Sequence, residues 1–342
     1  MVNIADFRSA DIATSGSLPT GSRRHGTTWN VARTRSVRYS LLHCLAVSYL
    51  PSSSATNEKH VNYYRSRYWC ALIVLGCLPW SVANADDNAD REAQLPPLIH
   101  AHAHNDYEHQ RPLFDALDHG FASVEADIHL VDGQLLVAHD RSQVKPERTL
   151  QSLYLDPLRA RAKKFGGRIY PNGDPTFYLL IDTKSDANKT WAVLRKVLQG
   201  YSDLITTFNG GEIAPKAVTV VLTGNRPRQL LPQESIRQAG LDGEMPDLSK
   251  PNPNGIFLWM SEDWRRFFKW TGQGPFPADQ KARLQDIVAN AHERNMKVRF
   301  WDAPDSTEFW RELRSDGVDL MNADDLAGLE KFLRQESGSS SP

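Results

Sequence analysis

Histidines and carboxylates concentrate in one short part of this sequence, between residues 100 and 182. Seven of the eleven histidines lie between positions 100 and 139. His100, His102 and His104 alternate along an apolar segment, so an extended strand would place all three side chains on one face. Imidazole rings buried on a strand face need polar partners, and three of them need several. We therefore predict a functional cluster on this strand rather than three separate core histidines.

Carboxylates alternate in the same way on the next apolar segment. Glu125 and Asp127 share one face of a strand, and Asp182 closes a third hydrophobic run at 177–181. Two like charges on one face of a buried strand repel each other unless a cation holds them. Hard divalent cations prefer such oxygen ligands. The pattern predicts one Mg²⁺ or Ca²⁺ ion bound by Glu125, Asp127 and Asp182, with a structural salt-bridge cluster as the alternative.

The elements that must position these residues alternate between short apolar runs and helical patterns. This alternation predicts a parallel α/β fold, and its length suits a (β/α)8 TIM barrel, with a doubly wound open sheet as the alternative. The runs at 177–181 and 217–222 are continuously apolar, as in strands buried on both faces. The predicted strands are 98–104, 122–130, 134–139, 177–183, 217–223, 256–260, 297–301 and 317–321, and the predicted helices are 111–119, 150–164, 187–200, 228–239, 279–294, 306–314 and 324–335.

One pair of predicted strands makes the barrel irregular. Asp132 and Gly133 join 122–130 to 134–139 too tightly for a helical crossover, so this pair reads as a hairpin. If 134–139 is a hairpin strand, the weak segment near 237–243 must supply the eighth strand of the barrel.

The first 85 residues differ in composition from the rest of the chain. The 342 residues carry 40 Lys and Arg against 41 Asp and Glu, but the first 85 are basic, and all three cysteines lie there. A basic start, a short apolar run and an Ala-Asn-Ala site over 65–85 predict a secretory signal peptide cleaved near Ala85, and hence a secreted or periplasmic protein. We predict an extension at 1–64 that is disordered or not part of the natural protein, a flexible lead-in at 86–97, the barrel at 98–335 and a flexible tail at 336–342.

The motifs of the barrel region resemble a known superfamily. They are HAHNDY at 102–107, VEAD at 124–127, LVAHD at 136–140, LIDTK at 180–184, VRFW at 298–301 and GVDLMN at 317–322. In this order they are similar to the phospholipase-C-like phosphodiesterases, which include glycerophosphodiester phosphodiesterases and sphingomyelinase D, and most of all to the altered inheritance of mitochondria protein 6-like branch. The resemblance implies a TIM barrel and a phosphoric diester hydrolase. Glycerophosphodiesterases carry His-Arg-Gly where this chain has HAHNDY, so the substrate stays open.

The histidines and their neighbours can be given separate roles in the cleavage of a phosphodiester. Phosphodiester cleavage needs charge neutralisation and proton transfer, and histidine titrates near neutral pH. We predict that His139 and a histidine of the first strand, either His102 or His104, form the acid–base pair. Three residues are predicted to bind the substrate: Asn105, Lys184 and Trp301. The predicted nucleophile is water or a hydroxyl group of the substrate.

Other functions remain as alternatives. Zinc-dependent amidohydrolases also open with two alternating histidines, but they need more histidines on later strands, and beyond His139 only His292 remains. A non-catalytic ligand-binding barrel is the second alternative. The net charge of −1 gives no reason to expect nucleic acid. The predicted partner is a small-molecule or lipid phosphodiester; the aromatic stretch 257–270 favours a core-facing helix over peripheral membrane contact. The sequence leaves the oligomeric state undetermined.

Overall fold

Eight parallel strands form the central sheet of the protein. The structure is a computed structural model that describes residues 96–173 and 176–339. We number only these eight parallel strands, in chain order; a ninth strand, Gln134–Val137, joins the sheet beside the second of them. They are β1 Leu98–Ala103, β2 Phe121–Val131, β3 Phe177–Thr183, β4 Val218–Gly224, β5 Gly240–Gly243, β6 Phe257–Asp263, β7 Lys297–Trp301 and β8 Met321–Ala323.

The sheet curves into a nearly closed barrel. Its strands follow the order β7-β6-β5-β4-β3-β2-β1-β8, and every neighbouring pair is parallel. A parallel bridge between Arg299 of β7 and Leu320, just before β8, brings the two ends of the sheet together. The predicted (β/α)8 TIM barrel is therefore confirmed in preference to an open doubly wound sheet.

Helices follow most of the barrel strands. Among the described residues, the connections from β4 to β5 and from β5 to β6 contain 3₁₀ turns in place of α-helices, which makes the barrel irregular as predicted. The α-helices are α1 Phe114–Asp118, α2 Asp156–Lys164, α3 Ala187–Gln199, α4 Trp264–Phe267, α5 Ala278–His292, α6 Thr307–Ser315 and α7 Leu326–Ser339.

The predicted hairpin is confirmed and leaves room for a weak eighth strand. β2 pairs antiparallel with Gln134–Val137. The turn residues Asp132 and Gly133 both have positive φ, 48° and 78°, which suits a tight two-residue hairpin loop. Gly240–Gly243, inside the predicted segment 237–243, then completes the barrel between β4 and β6.

The predicted helix at 228–239 is wrong. Pro232 has no backbone N–H and allows only the single 3₁₀ turn Leu231–Gln233. Ile236–Arg237 instead pairs with Thr207–Asn209, which also pairs with Glu212–Ala214 in a small antiparallel sheet. The apolar residues between 228 and 239 therefore belong to a 3₁₀ turn and a short strand.

Two boundaries near the carboxyl terminus also differ from prediction. The last strand is Met321–Ala323 rather than 317–321, because Gly317, with φ +85°, ends the turn that follows α6. α7 continues to Ser339, so the first residues of the predicted tail 336–342 are helical. The predicted segments 1–64 and 65–85, residues 86–95 of the lead-in and residues 340–342 lie outside the described residues.

Alternation along β2 separates two environments. Val124, Ala126 and Ile128 belong to the large apolar core shared with the helices, whereas Glu125 and Asp127 do not. A second, small apolar cluster contains one residue each from β3, β4 and β6 together with Leu320: Leu180, Val221, Trp259 and Leu320. Polar side chains of the barrel strands therefore lie apart from the main core.

The aromatic stretch after β6 packs into the core, as predicted. Trp264 is 1% exposed and stacks on Phe268 with ring centroids 4.1 Å apart, and Trp270 is buried against Phe276. This arrangement supports the core interpretation over membrane contact for these rings. Within the described residues, every helix is too short or too polar to cross a membrane.

Candidate active site

A cavity of about 630 Å³ opens at the carboxyl ends of the barrel strands. Active sites of TIM barrels lie at this end, because the βα loops of all strands converge there. Seven of the nine predicted site residues line the cavity, and the remaining two, His102 and Asp127, are fully buried. The lining residues that were predicted are His104, Asn105, Glu125, His139, Asp182, Lys184 and Trp301.

The three predicted metal carboxylates come together. β2 and β3 pair in a register that sets Asp127 beside Asp182. Glu125, Asp127 and Asp182 each offer an oxygen, and these oxygens all lie within 4.8 Å of one another. Oδ1 of Asp127 and Oδ1 of Asp182 are buried, and neither has a hydrogen-bond partner among the residues that the structure describes. Three converging carboxylates with two such oxygens fit a hard divalent cation, because each unpartnered lone pair can serve as a ligand.

Gly224 at the end of β4 leaves the space that Asp182 needs. A Cβ atom at this position would lie 1.9 Å from Asp182 Oδ1 and 2.9 Å from the carbonyl oxygen of Thr183. Its φ of +63° also belongs to the left-handed region that favours glycine. The sequence thus provides room around the carboxylate as well as the carboxylate itself.

Lys184 balances part of the negative charge of the three carboxylates. Lys184 Nζ lies 2.9 Å from Asp127 Oδ2 and 2.8 Å from Asp182 Oδ2. Burial alone would lower the pKa of Lys184, but the two carboxylates raise it to about 12. Lys184, which we predicted to bind phosphate, thus contacts the carboxylates and also lines the cavity.

Arg299 on β7 was not predicted, and it contacts the innermost carboxylate. Its Nη1 lies 3.1 Å from Glu125 Oε2, and its side chain is 3% exposed. Burial would raise the pKa of Glu125, but the neighbouring charge of Arg299 holds it well below its usual range. By contrast, burial together with the charges of Glu125 and Asp182 raises the pKa of Asp127 to about 6.

The three alternating histidines of β1 occupy different levels of the barrel. Their Cα atoms advance by roughly 6–7 Å per pair of residues, so they do not form one cluster. His100 Nδ1 bonds the carbonyl oxygen of Asp319 at 2.7 Å, away from the cavity. His102 is buried in the barrel, and only His104 reaches the cavity wall. The prediction of a single three-histidine cluster is therefore wrong.

His102 is held as a neutral ring. Its Nε2 lies 3.0 Å from Arg299 Nη1, which can only donate, so Nδ1 carries the proton and donates to Ser123 Oγ at 2.7 Å. Burial lowers the pKa of His102 to about 4. With both ring nitrogens engaged and no exposure, this histidine has no free atom for proton transfer to a bound substrate.

His104 has the opposite environment. Its Nδ1 lies 2.8 Å from Asp324 Oδ1, which follows β8. Burial opposes the charged ring, but the hydrogen bond to Asp324 and the charge of Glu125 raise the pKa of His104. Because Nδ1 donates to Asp324, the protonated ring has Nε2–H left to donate to a ligand.

Tyr107, a second residue that was not predicted, links three members of the site. Its hydroxyl oxygen lies 2.7 Å from Asn105 Oδ1, 2.7 Å from Asp127 Oδ2 and 3.0 Å from His139 Nδ1. His139 Nδ1 also lies 3.1 Å from Asp127 Oδ2. Because the carboxylate can only accept, this nitrogen carries the ring proton and donates it to Asp127. Nε2 of the half-exposed His139 is thereby left with a free lone pair.

Different signals were available for the two residues that the sequence reasoning missed. Arg299 is a charged residue between Val298 and Phe300 in an apolar strand, so its side chain belongs on the barrel interior. Tyr107 lies in a loop beyond β1, where no periodicity predicts its direction. Only the fold shows that its hydroxyl reaches Asp127.

The protein belongs to the class of TIM barrels that place ionisable side chains, here histidines, carboxylates and a lysine, at the carboxyl ends of their strands. Comparison with known sequences narrows this class. A profile of the AIM6-like phosphodiesterase domain matches residues 90–241. A protein named altered inheritance of mitochondria protein 6 homolog, from Arthroderma benhamiae, is 31% identical over 260 residues, covering 67% of this chain and 82% of that protein. The chain belongs to this AIM6-like phosphodiesterase domain family.

A second relative and two solved structures also match parts of this chain. The altered inheritance of mitochondria protein 6 of Eremothecium gossypii is 31% identical over 307 residues, covering 78% of this chain and 79% of that protein. A crystal structure of a glycerophosphodiester phosphodiesterase from Parabacteroides distasonis is 14% identical, with a TM-score of 0.44, and covers 71% of this chain and 100% of that chain. The corresponding enzyme from Agrobacterium tumefaciens is 14% identical, with a TM-score of 0.40, and covers 70% of this chain and 100% of that chain.

Proposed function

We propose that this protein is a divalent-cation-dependent phosphodiesterase that cleaves a glycerophosphodiester or phospholipid-type ester. The main support for this function is that His104 and His139 line the same cavity as Glu125 and Asp182. A phosphate bound there would meet proton donors, proton acceptors and positive charge together, which are the requirements of phosphodiester cleavage.

His104 is the general acid of this proposal. The contact with Asp324 favours its protonated form, and its Nε2–H is free to donate. As the bond from phosphorus to the leaving oxygen breaks, this proton passes to that oxygen. His102 cannot take this role, because Arg299 and Ser123 occupy both of its ring nitrogens. The structure thereby favours His104 between the two histidines that the sequence left open.

His139 is the general base. Its Nδ1 donates to the carboxylate of Asp127 and lies beside the hydroxyl of Tyr107. This contact fixes the tautomer in which Nε2 carries no proton. This atom takes the proton of the attacking oxygen, which belongs to water or to a neighbouring substrate hydroxyl. Asn105 and Trp301 are proposed to contact the substrate from the cavity wall.

Glu125, Asp127 and Asp182 would hold the cation, Mg²⁺ or Ca²⁺. When bound, it would neutralise charge on a non-bridging phosphate oxygen. Lys184 would remain beside Asp127 and Asp182 and contribute a further positive charge at the cavity wall.

The alternatives have less support from the site. The group of side chains that could hold a metal among the described residues contains three carboxylates and no histidine, unlike a zinc amidohydrolase site. His292 lies on α5 and pairs with Asp319, outside the cavity. A non-catalytic barrel has no need for two histidines with complementary free atoms at an open mouth. We also propose that the protein is secreted, on the sequence pattern at 65–85.

Turnover of bis-p-nitrophenyl phosphate by the purified full chain tests the proposal. We expect activity with Mg²⁺ or Ca²⁺ that EDTA abolishes, and a fall of about 100-fold or more in His104→Gln and His139→Gln. His292→Gln is the matched control, since that ring lies outside the cavity, and it should keep the wild-type rate. Absence of cation-dependent turnover, or equal loss in all three variants, would overturn the assignment.

A further inference from the structure

A second cavity opens at the amino ends of the barrel strands, away from the proposed active site. Its volume is about 780 Å³, and it is lined by residues from three segments, 96–100, 311–315 and 333–337. The first segment contains the start of β1, and the other two lie in the carboxyl-terminal parts of α6 and α7. We call this cavity the basal pocket. Its size suits a small organic ligand better than a single ion.

Two arginines bring positive charge to the basal pocket. Arg311 and Arg314 both line it, and because they are three residues apart on α6 they share one face of that helix. Within the part of the chain that the structure describes, neither side chain has a hydrogen bond or an ion pair. Nε of Arg314 is also buried. Buried N–H groups almost always have an acceptor, so this group is suited to donate to an oxygen of a ligand.

The third arginine of the basal pocket is paired, in contrast to these two. Arg334 donates to Glu330 at 2.8 Å and to the carbonyl oxygen of Pro96 at 3.1 Å. Basic residues in the last turn of a helix can also be satisfied by its carbonyl oxygens. Arg311 and Arg314 make no such bond among the described residues. Their two charges are therefore available to a ligand, whereas Arg334 serves the structure.

Apolar side chains supply another part of the pocket wall. Ile99 lies on β1 and is nevertheless 53% exposed, and Pro97, Leu98 and Leu333 also line the pocket. Covering such a surface is favourable, because apolar area is removed from water. A bare inorganic anion would use only the two arginines, and a neutral lipid would use only the apolar wall. A ligand that uses both must be apolar and anionic.

We infer that the basal pocket binds an amphiphilic anion, an apolar molecule that carries one carboxylate or phosphate group. Arg311 and Arg314 donate to oxygens of the anionic group, and Ile99 and Leu333 contact the apolar part. Guanidinium groups suit both kinds of head group, because their N–H groups can donate in pairs to carboxylate and phosphate oxygens. This binding site is separate from the proposed active site and does not depend on phosphodiesterase activity.

Calorimetric titration of the purified full chain with octanoate, octyl phosphate and octanol tests the inference. EDTA is present throughout, so that no cation in the active-site cavity attracts the anions. We expect both anions to bind at least about tenfold more tightly than octanol, because only they accept charge-assisted hydrogen bonds. Acetate, which lacks the apolar chain, should bind at least about tenfold more weakly than octanoate. The anion that binds more tightly identifies the preferred head group.

Variants locate the binding site. Arg311→Gln and Arg314→Gln should each weaken both anions about tenfold and leave octanol unchanged. Glutamine has nearly the helix propensity of arginine, so α6 should be retained. Arg195→Gln is the matched control and should keep the wild-type affinity, because it removes a charge from α3, outside the pocket. Ile99→Thr shortens the apolar wall and should weaken octanoate about threefold without changing acetate.

Three results of these titrations would overturn the inference. They are absence of binding by both anions, equal affinity for octanol and the anions, and unchanged anion affinity in both Arg311→Gln and Arg314→Gln. An equal loss in Arg195→Gln would also reject the site, because it would show a general effect of charge. Loss in Lys184→Gln without loss in the two basal variants would place the anion in the active-site cavity and reject the basal pocket.

Discussion

At the residue scale, two histidines that look alike in sequence have opposite properties. His102 and His104 are separated by one alanine, yet burial beside Arg299 lowers the pKa of one to about 4 and Asp324 raises the pKa of the other. The difference arises from partners that lie about 200 residues away in the chain. Alternation predicted that both rings face inward, but their depth in the barrel decides which ring can meet a substrate.

We expect Asp324→Asn to move the alkaline limb of the kcat/KM profile to lower pH. As general acid, His104 must be protonated, so activity is lost as the pH rises through its pKa. The hydrogen bond to Asp324 raises that pKa, and the amide removes the negative charge, so the loss should begin at lower pH. Turnover of bis-p-nitrophenyl phosphate from pH 5 to 9 measures the limb. An unmoved alkaline limb would contradict the role of His104.

At the element scale, strand ends carry the site. The pairing of β2 with β3 aligns Asp127 with Asp182, and the neighbouring β4 ends in Gly224, whose lack of a side chain makes room for Asp182. A small change at the end of a strand that provides no ligand should therefore disturb the carboxylates.

We expect Gly224→Ala to abolish cation binding and phosphodiesterase activity. The added Cβ would lie 1.9 Å from Asp182 Oδ1, so the carboxylate must move. Gly210→Ala is the matched control, because its φ of +56° is similarly left-handed and nothing lies within 4 Å of its new Cβ. Both variants should lose about 1–2 kcal/mol of folding free energy through backbone strain. Titration calorimetry with Mg²⁺ and Ca²⁺ measures affinity, and wild-type affinity in Gly224→Ala would refute this account.

At the scale of the whole molecule, a buried acid ties the loop of the site to global stability. Asp106 Oδ2 accepts from the N–H of Leu113 at 2.6 Å and from the hydroxyl of Tyr154 at 2.8 Å, directly beside Asn105 and Tyr107. Burial raises the pKa of Asp106 to about 7. Folding therefore holds a proton on this group that the unfolded chain releases near its ordinary pKa of 3.8.

This linkage predicts a pH-dependent gain of stability in Asp106→Asn. Between about pH 4 and pH 7 the unfolded wild-type chain binds fewer protons than the folded one, so its free energy of unfolding falls as pH rises. The asparagine variant lacks this loss. Its stability relative to wild type should increase across that window by up to about 4 kcal/mol and stay constant above it. Urea unfolding followed by circular dichroism at pH 4 to 8 measures the difference, and parallel curves would contradict it.

Local sequence patterns were enough to predict the barrel, its hairpin and the types of side chain at its mouth. Continuous apolar runs, the Asp132–Gly133 turn and the alternation of Glu125 with Asp127 are local signals, because strand period and turn conformation depend on neighbouring residues. The three carboxylates were predicted for the same reason. The helix predicted at 228–239 does not form. Pro232 and the pairing of this segment with residues 207–209 outweigh its apolar periodicity.

The depth of each side chain in the barrel, and its contacts with residues far away in the chain, could be read only from the folded protein. It separated His102 from His104 and brought Arg299 to Glu125 and Tyr107 to Asp127. These relations join residues that are 20 to about 200 positions apart, and they follow from barrel closure and strand register. Local pattern fixes which face a side chain occupies, whereas the closed barrel fixes its height, its partners and its access to substrate.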